Sequence, residues 1–381
     1  MFRRVGAFFR DLSGVNPAVV VGVCVAVLTI LGLVVLSSAG QSLNASDAYM
    51  AFRKQLVWLA IALAAGAGAM FVDLEKLRRW AWPLFGLAVV LLILVKIPSI
   101  GREVNGARRW LDFGPMRLQP SEFAKLALVF ALSHYLCFSQ RWLKTFVRGF
   151  IVPLVITGAI AGLIILQPDF GTAALSGAVG FLLMFLAGTR LVFLVPTVLA
   201  GTVLFFTLVF FDPVRWQRIT SFWDVEGNRA GTAYQLYQGL LAYGVGGVDG
   251  VGLGQGRQQM AFLPEAHTDF IFPIIGEELG MVCTLGIAAV FLILFLTVAR
   301  QLRHAPNLFQ FSLCAGSLLC IVLQAAINMG VVTGILPTKG MSLPFISYGG
   351  SNLVLMFILV GIILNCMRTW ERPVRIRARE L

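Results

Sequence analysis

Long apolar stretches alternate with short polar ones along almost the whole chain. Ten of them approach the roughly 20 residues that a helix needs to cross about 30 Å of hydrocarbon. The first five run from Ala18 to Leu36, Leu56 to Phe71, Trp80 to Val95, Phe123 to Cys137 and Phe150 to Leu166. The next five run from Thr172 to Leu186, Leu191 to Phe211, Met281 to Val298, Phe311 to Met329 and Leu353 to Cys366. They are continuous and rich in Leu, Val and Phe, which fits helices and not the short alternating strands of a barrel. The expected fold is all-α, a polytopic membrane domain of about ten helices over residues 18–366. A cytoplasmic segment, 1–17, is expected before it and a basic cytoplasmic tail, 367–381, after it. No cleavable signal is evident, because the first span is longer than a signal core. A loop of nearly sixty residues, about 212–269, separates the seventh and eighth spans.

Composition agrees with this pattern. The chain is 58% hydrophobic and 13% charged, against roughly 25% charged in a soluble domain, so lipid must serve as part of its solvent. The net charge of +12 is placed as topology requires, and nucleic acid is not an expected partner. With the N-terminus inside, Arg3, Arg4, Arg10, Lys76, Arg78, Arg79, Arg141, Lys144, Arg148, Arg190, Arg300, Arg303, Arg368, Arg372, Arg375, Arg377 and Arg379 are cytoplasmic. Both ends are then basic, which requires an even number of spans and favours ten. The six cysteines sit in or beside apolar runs with no metal-type spacing and read as small core residues.

Two outer loops depart from the charge rule. The loop from Lys96 to Pro120 carries Arg102, Arg108, Arg109 and Arg117, and the long loop carries Arg215, Arg218, Arg229 and Arg257. Outer arginines suit an anionic ligand, since guanidinium pairs with phosphate oxygens; the plainer reading is that long loops translocate whatever their charge. The long loop has six aromatic residues from Trp216 to Tyr243 and little low-complexity polarity, so it is expected to be folded. No Walker A run, His-rich metal pattern or Gly-x-Ser-x-Gly elbow occurs. The glycine run Gly250 to Arg257 is either a turn or a backbone-amide cradle for a lipid phosphate.

The stretch from Leu263 to Gly280 is the richest in candidate chemistry. Asp269 stands where the long loop re-enters the membrane. It either caps the next helix or is a partly desolvated carboxylate with its pKa raised enough for general base work. Glu277 and Glu278 stand just before the eighth apolar run, and carboxylates at that depth are functional or paired. Pro273 is expected to break or kink the segment. Glu122 and Lys125 are three apart on a predicted helix and read as a buried structural pair. Asp169 is a helix cap or a cavity-lining group. Pro337, Gly340, Pro344, Gly349 and Gly350 crowd around Lys339, Ser342 and Ser347. This means irregular backbone between two spans, covered by protein or water, with Lys339 either facing an anion or snorkelling to the interface.

Five motifs in combination resemble the SEDS family (shape, elongation, division and sporulation proteins) over nearly the whole chain. They are GARRWLDFG at Gly106, QPSEFAKLAL at Gln119, LQPDFGTA at Leu166, LPEAHTDFIFPIIGEELG at Leu263 and LPTKGMSLPFISYGGSN at Leu336. The PEAHTDFIF run and the Thr-Lys-Gly of LPTKG look like the division branch, FtsW, more than the elongation branch, RodA. The resemblance implies a ten-helix peptidoglycan glycosyltransferase of the bacterial cytoplasmic membrane, acting at the division septum. It implies lipid II as substrate, and a class B penicillin-binding protein with other division proteins as partners. The family's essential outer-loop aspartate maps onto Asp269, and Arg117, Lys125, Lys339 and Ser347 fall on further functional motif positions. The implied mechanism has Asp269 take the proton of the acceptor hydroxyl. Undecaprenyl pyrophosphate then leaves, stabilised by Arg117, Lys339, Arg108 and Arg109 or by a divalent cation, Mg²⁺ or Mn²⁺; no organic cofactor is expected. Two other classes stay open, a lipid II transporter and a non-catalytic scaffold for the penicillin-binding protein.

Overall fold

A computed structural model describes residues 16–39, 50–104, 106–113, 116–258 and 267–370. The cytoplasmic lead-in, the tail beyond Trp370 and residues 263–266 of the acidic stretch lie outside the described residues.

Eight described helices are long and apolar enough to cross a membrane, and two shorter apolar helices complete the ten expected crossings. In chain order the helices are α1 (Pro17–Ala39), α2 (Met50–Phe71), the short α3 (Leu74–Arg78), α4 (Ala81–Leu94), α5 (Pro120–Phe138), α6 (Val152–Ile165) and α7 (Phe170–Ala187). They continue with α8 (Leu191–Phe210), α9 (Pro213–Trp223), α10 (Tyr234–Gly246), α11 (Ile271–Gln301), α12 (Leu308–Val332) and α13 (Gly350–Trp370). The ten long or apolar ones are α1, α2, α4, α5, α6, α7, α8, α11, α12 and α13. The chain is a polytopic helical membrane protein.

The layers follow from which helices are apolar all round and which only on one face. Helix α5 is buried along nearly its whole length, and α12 and α13 are almost as enclosed. Helix α8 instead turns Val192, Val195, Leu199, Val203, Phe206 and Phe210 outward. Small residues let α2 and α13 touch, as membrane helices require. A methyl group on Gly66 would meet the Phe357 carbonyl, and one on Gly361 would meet the Gly66 carbonyl. Asn365 Nδ2 then donates to the Ala69 and Val72 carbonyls at 2.8 and 2.6 Å, and Arg368 donates to the Met70 carbonyl at 3.1 Å. Helix α13 thereby satisfies carbonyls that the end of α2 would leave without partners.

Three features differ from the sequence expectation. The fold is not wholly helical: β1 (Gly101–Val104), β2 (Ala107–Phe113) and β3 (Met116–Leu118) form an antiparallel sheet in that order. The strands are too short, and too charged, for alternation to reveal them. The eighth span begins at Ile271, ten residues before the expected Met281. Its break is at Gly280, with φ 74° and ψ −178°, and not at Pro273. Pro273 falls in the first turn, where its missing N–H has no helical partner to lose. Gly280 takes a conformation open essentially to glycine alone, and a methyl there would strike the Val248 carbonyl. The long loop is folded, as expected, around α9 and α10.

Candidate functional site

The end of the bundle that carries the sheet, the long loop and the 333–349 segment brings the candidate residues together. Asp269 directly precedes Phe270, the cap position of α11. Three successive carbonyls lead up to its side chain, and each is held. The Tyr348 N–H donates to the His267 carbonyl at 2.9 Å. The Ser347 hydroxyl donates to the Thr268 carbonyl at 2.6 Å, and Asn328 Nδ2 donates to the Asp269 carbonyl at 2.9 Å. Ser347 Oγ also accepts the Leu343 N–H at 2.7 Å. Ser347 is 2% exposed, so its described contacts stitch two backbone segments together.

The Asp269 carboxylate rests on Gly340: a methyl group on that glycine would run into Asp269 Oδ2. Lys339 extends from the adjacent position. Its Cε would be 2.8 Å from a methyl on Gly171, and its Nζ lies 5.0 Å from the centre of the Phe170 ring. The glycine at 340 therefore makes room for the Asp269 carboxylate, and the glycine at 171 for the Lys339 side chain. Asp169 resolves to a cap: Oδ1 accepts the Thr172 N–H at 3.2 Å and Oδ2 the Thr172 hydroxyl at 2.9 Å, at the start of α7.

The arginines of the sheet flank the same corner. Arg109 donates to the Gln167 and Pro168 carbonyls at 3.1 and 2.6 Å, joining β2 to the turn before α7. Arg108 pairs with Glu103 at 3.2 Å. Arg117 and Arg102 share Asp112, at 3.4 and 2.8 Å. The Arg117 side chain stays half exposed. Burial pushes the Tyr348 phenol above its ordinary value, and the Arg117 guanidinium opposes that shift.

Glu277 and Glu278 lie within α11, 1% and 0% exposed. Glu277 Oε1 accepts the N–H groups of Arg257 and Gln258 at 2.8 and 3.3 Å. Glu278 Oε1 accepts the Gly254 N–H at 3.0 Å and the Ser38 hydroxyl at 2.8 Å. The glycine run does form an amide cradle, but the chain's own carboxylates fill it. This excludes the lipid-phosphate reading of that run.

Beneath the corner, Lys125 is 2% exposed and lies 3.0 Å from Glu122 Oε2. It also donates to Gln324 Oε1 at 2.7 Å. Gln324 and Asn328 escaped the sequence reading, and Asn352 entered it only as the end of a motif. Their signal was uncharged amides inside apolar runs, two of them one helical turn apart.

No cluster of three or more His, Cys, Asp or Glu side chains that could hold a metal ion occurs among the described residues.

The model of the cell cycle protein family, which groups FtsW, RodA and SpoVE, matches residues 18–371. A probable peptidoglycan glycosyltransferase FtsW of Trichlorobacter lovleyi is 38% identical over 344 residues, 90% of each chain. Stage V sporulation protein E of Bacillus subtilis is 37% identical over 356 residues, 93% of this chain and 97% of that one. Among solved structures, a chain from a study of the structural coordination of polymerization and crosslinking by a peptidoglycan synthase complex superposes with a TM-score of 0.76. It is 27% identical, covering 93% of this chain and 98% of that one. The rod shape determining protein RodA of Thermus thermophilus gives 0.70 at 27% identity, covering 93% and 97%. With the motif-bearing segments converging on one end of a ten-span bundle, the chain belongs to the SEDS family of cell cycle proteins, in its FtsW branch.

Proposed function

We propose that this protein is a peptidoglycan glycosyltransferase that polymerises lipid II into glycan strands, with Asp269 as general base. The observation that carries this reading is that the Asp269 carboxylate lies against Gly340, next in sequence to Lys339, whose ammonium group sits over the Phe170 ring. Asp269 takes the proton of the acceptor sugar's 4-hydroxyl. That oxygen attacks the donor's anomeric carbon as the bond to the pyrophosphate oxygen breaks, with inversion, and the base then returns its proton to water. Undecaprenyl pyrophosphate is already a good leaving group, so the step needs charge stabilisation more than a general acid. Lys339 and Arg117 supply it, with Arg108 and Arg109 beside them. A positioned base contributes roughly 10²–10⁴-fold, and most of the remaining acceleration comes from holding two lipid-linked substrates in register.

The distribution of basic residues along the sequence supports an Asp269 end outside the cytoplasmic membrane and both termini inside. A class B penicillin-binding protein is the crosslinking partner, and the septum is the site of action. Polymer from labelled lipid II, made by the purified protein with its cognate penicillin-binding protein, tests the reading. Lipid II crossing vesicle membranes without polymer would favour the transporter. The break at Gly280 and the buried Glu122, Lys125 and Asp169 are the observations on that side, but no other described span contains such a break, whereas transporter repeats carry broken helices in matching halves.

A further inference from the structure

Asn328 and Gln324 lie one turn apart on α12 and are 1% and 2% exposed. Asn328 Nδ2 donates to the carbonyls of Asp269 and Met341, at 2.9 and 2.5 Å. Those residues stand on the two sides of the Asp269–Gly340 contact. Two carbonyls that would otherwise repel are thus held by one amide nitrogen. Asn328 Oδ1 is buried with no hydrogen-bond partner, so the donor side alone orients the amide. One turn away, Gln324 Nε2 donates to the Ser342 carbonyl at 2.9 Å and to Asn352 Oδ1 at 3.0 Å. Its Oε1 accepts from Lys125, which Glu122 holds.

We infer that Asn328 and Gln324 are positioning residues for the glycosyl transfer. Asn328 sets the separation of Asp269 from the 339–341 backbone, and Gln324 relays the buried Glu122–Lys125 pair to the next carbonyl of that segment, Ser342. The inference rests on Asp269 being the base. It assigns the buried ion pair an action on the site through Gln324 and not through contact with substrate.

The test compares Asn328→Ala, Gln324→Leu and Asp269→Asn with wild type in the complex with the penicillin-binding protein, using labelled lipid II. Positioning predicts that Asn328→Ala and Gln324→Leu lower kcat about tenfold or more, since displacements near 1 Å cost on the order of 10²-fold. KM should change little, and the acid limb of the pH–kcat profile should move. A merely structural role would lower the folded fraction and leave the profile of the surviving enzyme in place. If one variant does not fold, the other decides. Wild-type kcat and pH profile in the folded variants, beside an inactive Asp269→Asn, would overturn the inference alone. Polymer at the wild-type rate from Asp269→Asn would overturn the reading of the site and the inference with it.

Discussion

The carboxylate of Asp269 lies directly on the α-carbon of Gly340, in the space that any side chain at 340 would occupy. Gly340 is itself exposed, so the glycine serves the contact and not the core. Gly340→Ala should therefore keep the fold and lose on the order of 10²-fold in polymerisation, the scale of a displaced reacting group. Gly349→Ala in the same segment is the control, because a methyl there meets only Asn352 Cβ, at 4.0 Å. Thermal unfolding and polymer assays on both variants would check this. Equal activity in the two would contradict it.

The Ser38–Glu278 and Glu277–Arg257 contacts tie α1, the glycine run and the broken helix into one block. Glu277→Ala leaves the part-buried N–H groups of Arg257 and Gln258 without this acceptor, and Glu278→Ala that of Gly254, at up to about 1–3 kcal/mol per group. Both variants should unfold at lower temperature than wild type. Ser38→Ala removes one bond and should cost less. Melting curves of the purified protein decide it.

The ten spans were legible in the sequence because a membrane forces about twenty apolar residues into each crossing. The start of the eighth was not, because Glu277 and Glu278 made the preceding turn look polar. They are held inside the helix by backbone N–H groups that donate to them from positions 20 and 24 residues away in sequence. The sheet was hidden for a related reason: spacing does not show that Glu103 and Asp112 pair with Arg102, Arg108 and Arg117 across strands. Asp269, Lys339 and Ser347 were picked out by motif. The Gly340 contact and the Asn328 and Gln324 bridges depend on tertiary contacts that spacing does not encode.

Breaking the buried Lys125–Glu122 pair should cost more than removing it. Lys125→Met alone leaves an uncompensated carboxylate at 8% side-chain exposure, a loss of about 3–5 kcal/mol. Adding Glu122→Gln should restore part of that stability. A double-mutant cycle by thermal or chemical unfolding measures the coupling, and additive losses would contradict the prediction.

Gly280→Ala forces a side chain into the break of α11, where φ is 74° and the Val248 carbonyl closes the space. A strained backbone of this kind costs about 1–3 kcal/mol before the collision is counted. Gly286→Ala, in the same helix with nothing within 4 Å of the added methyl, should be neutral or slightly stabilising. Unfolding temperatures of the two variants would separate these outcomes.

Polymerisation of labelled lipid II by wild type and by Asp269→Ala, each in complex with the penicillin-binding protein and each shown to be folded, tests the central claim most directly. Glycan strands from wild type and none from the variant are the predicted result. Strands of the same length and at the same rate from both would contradict Asp269 as the base.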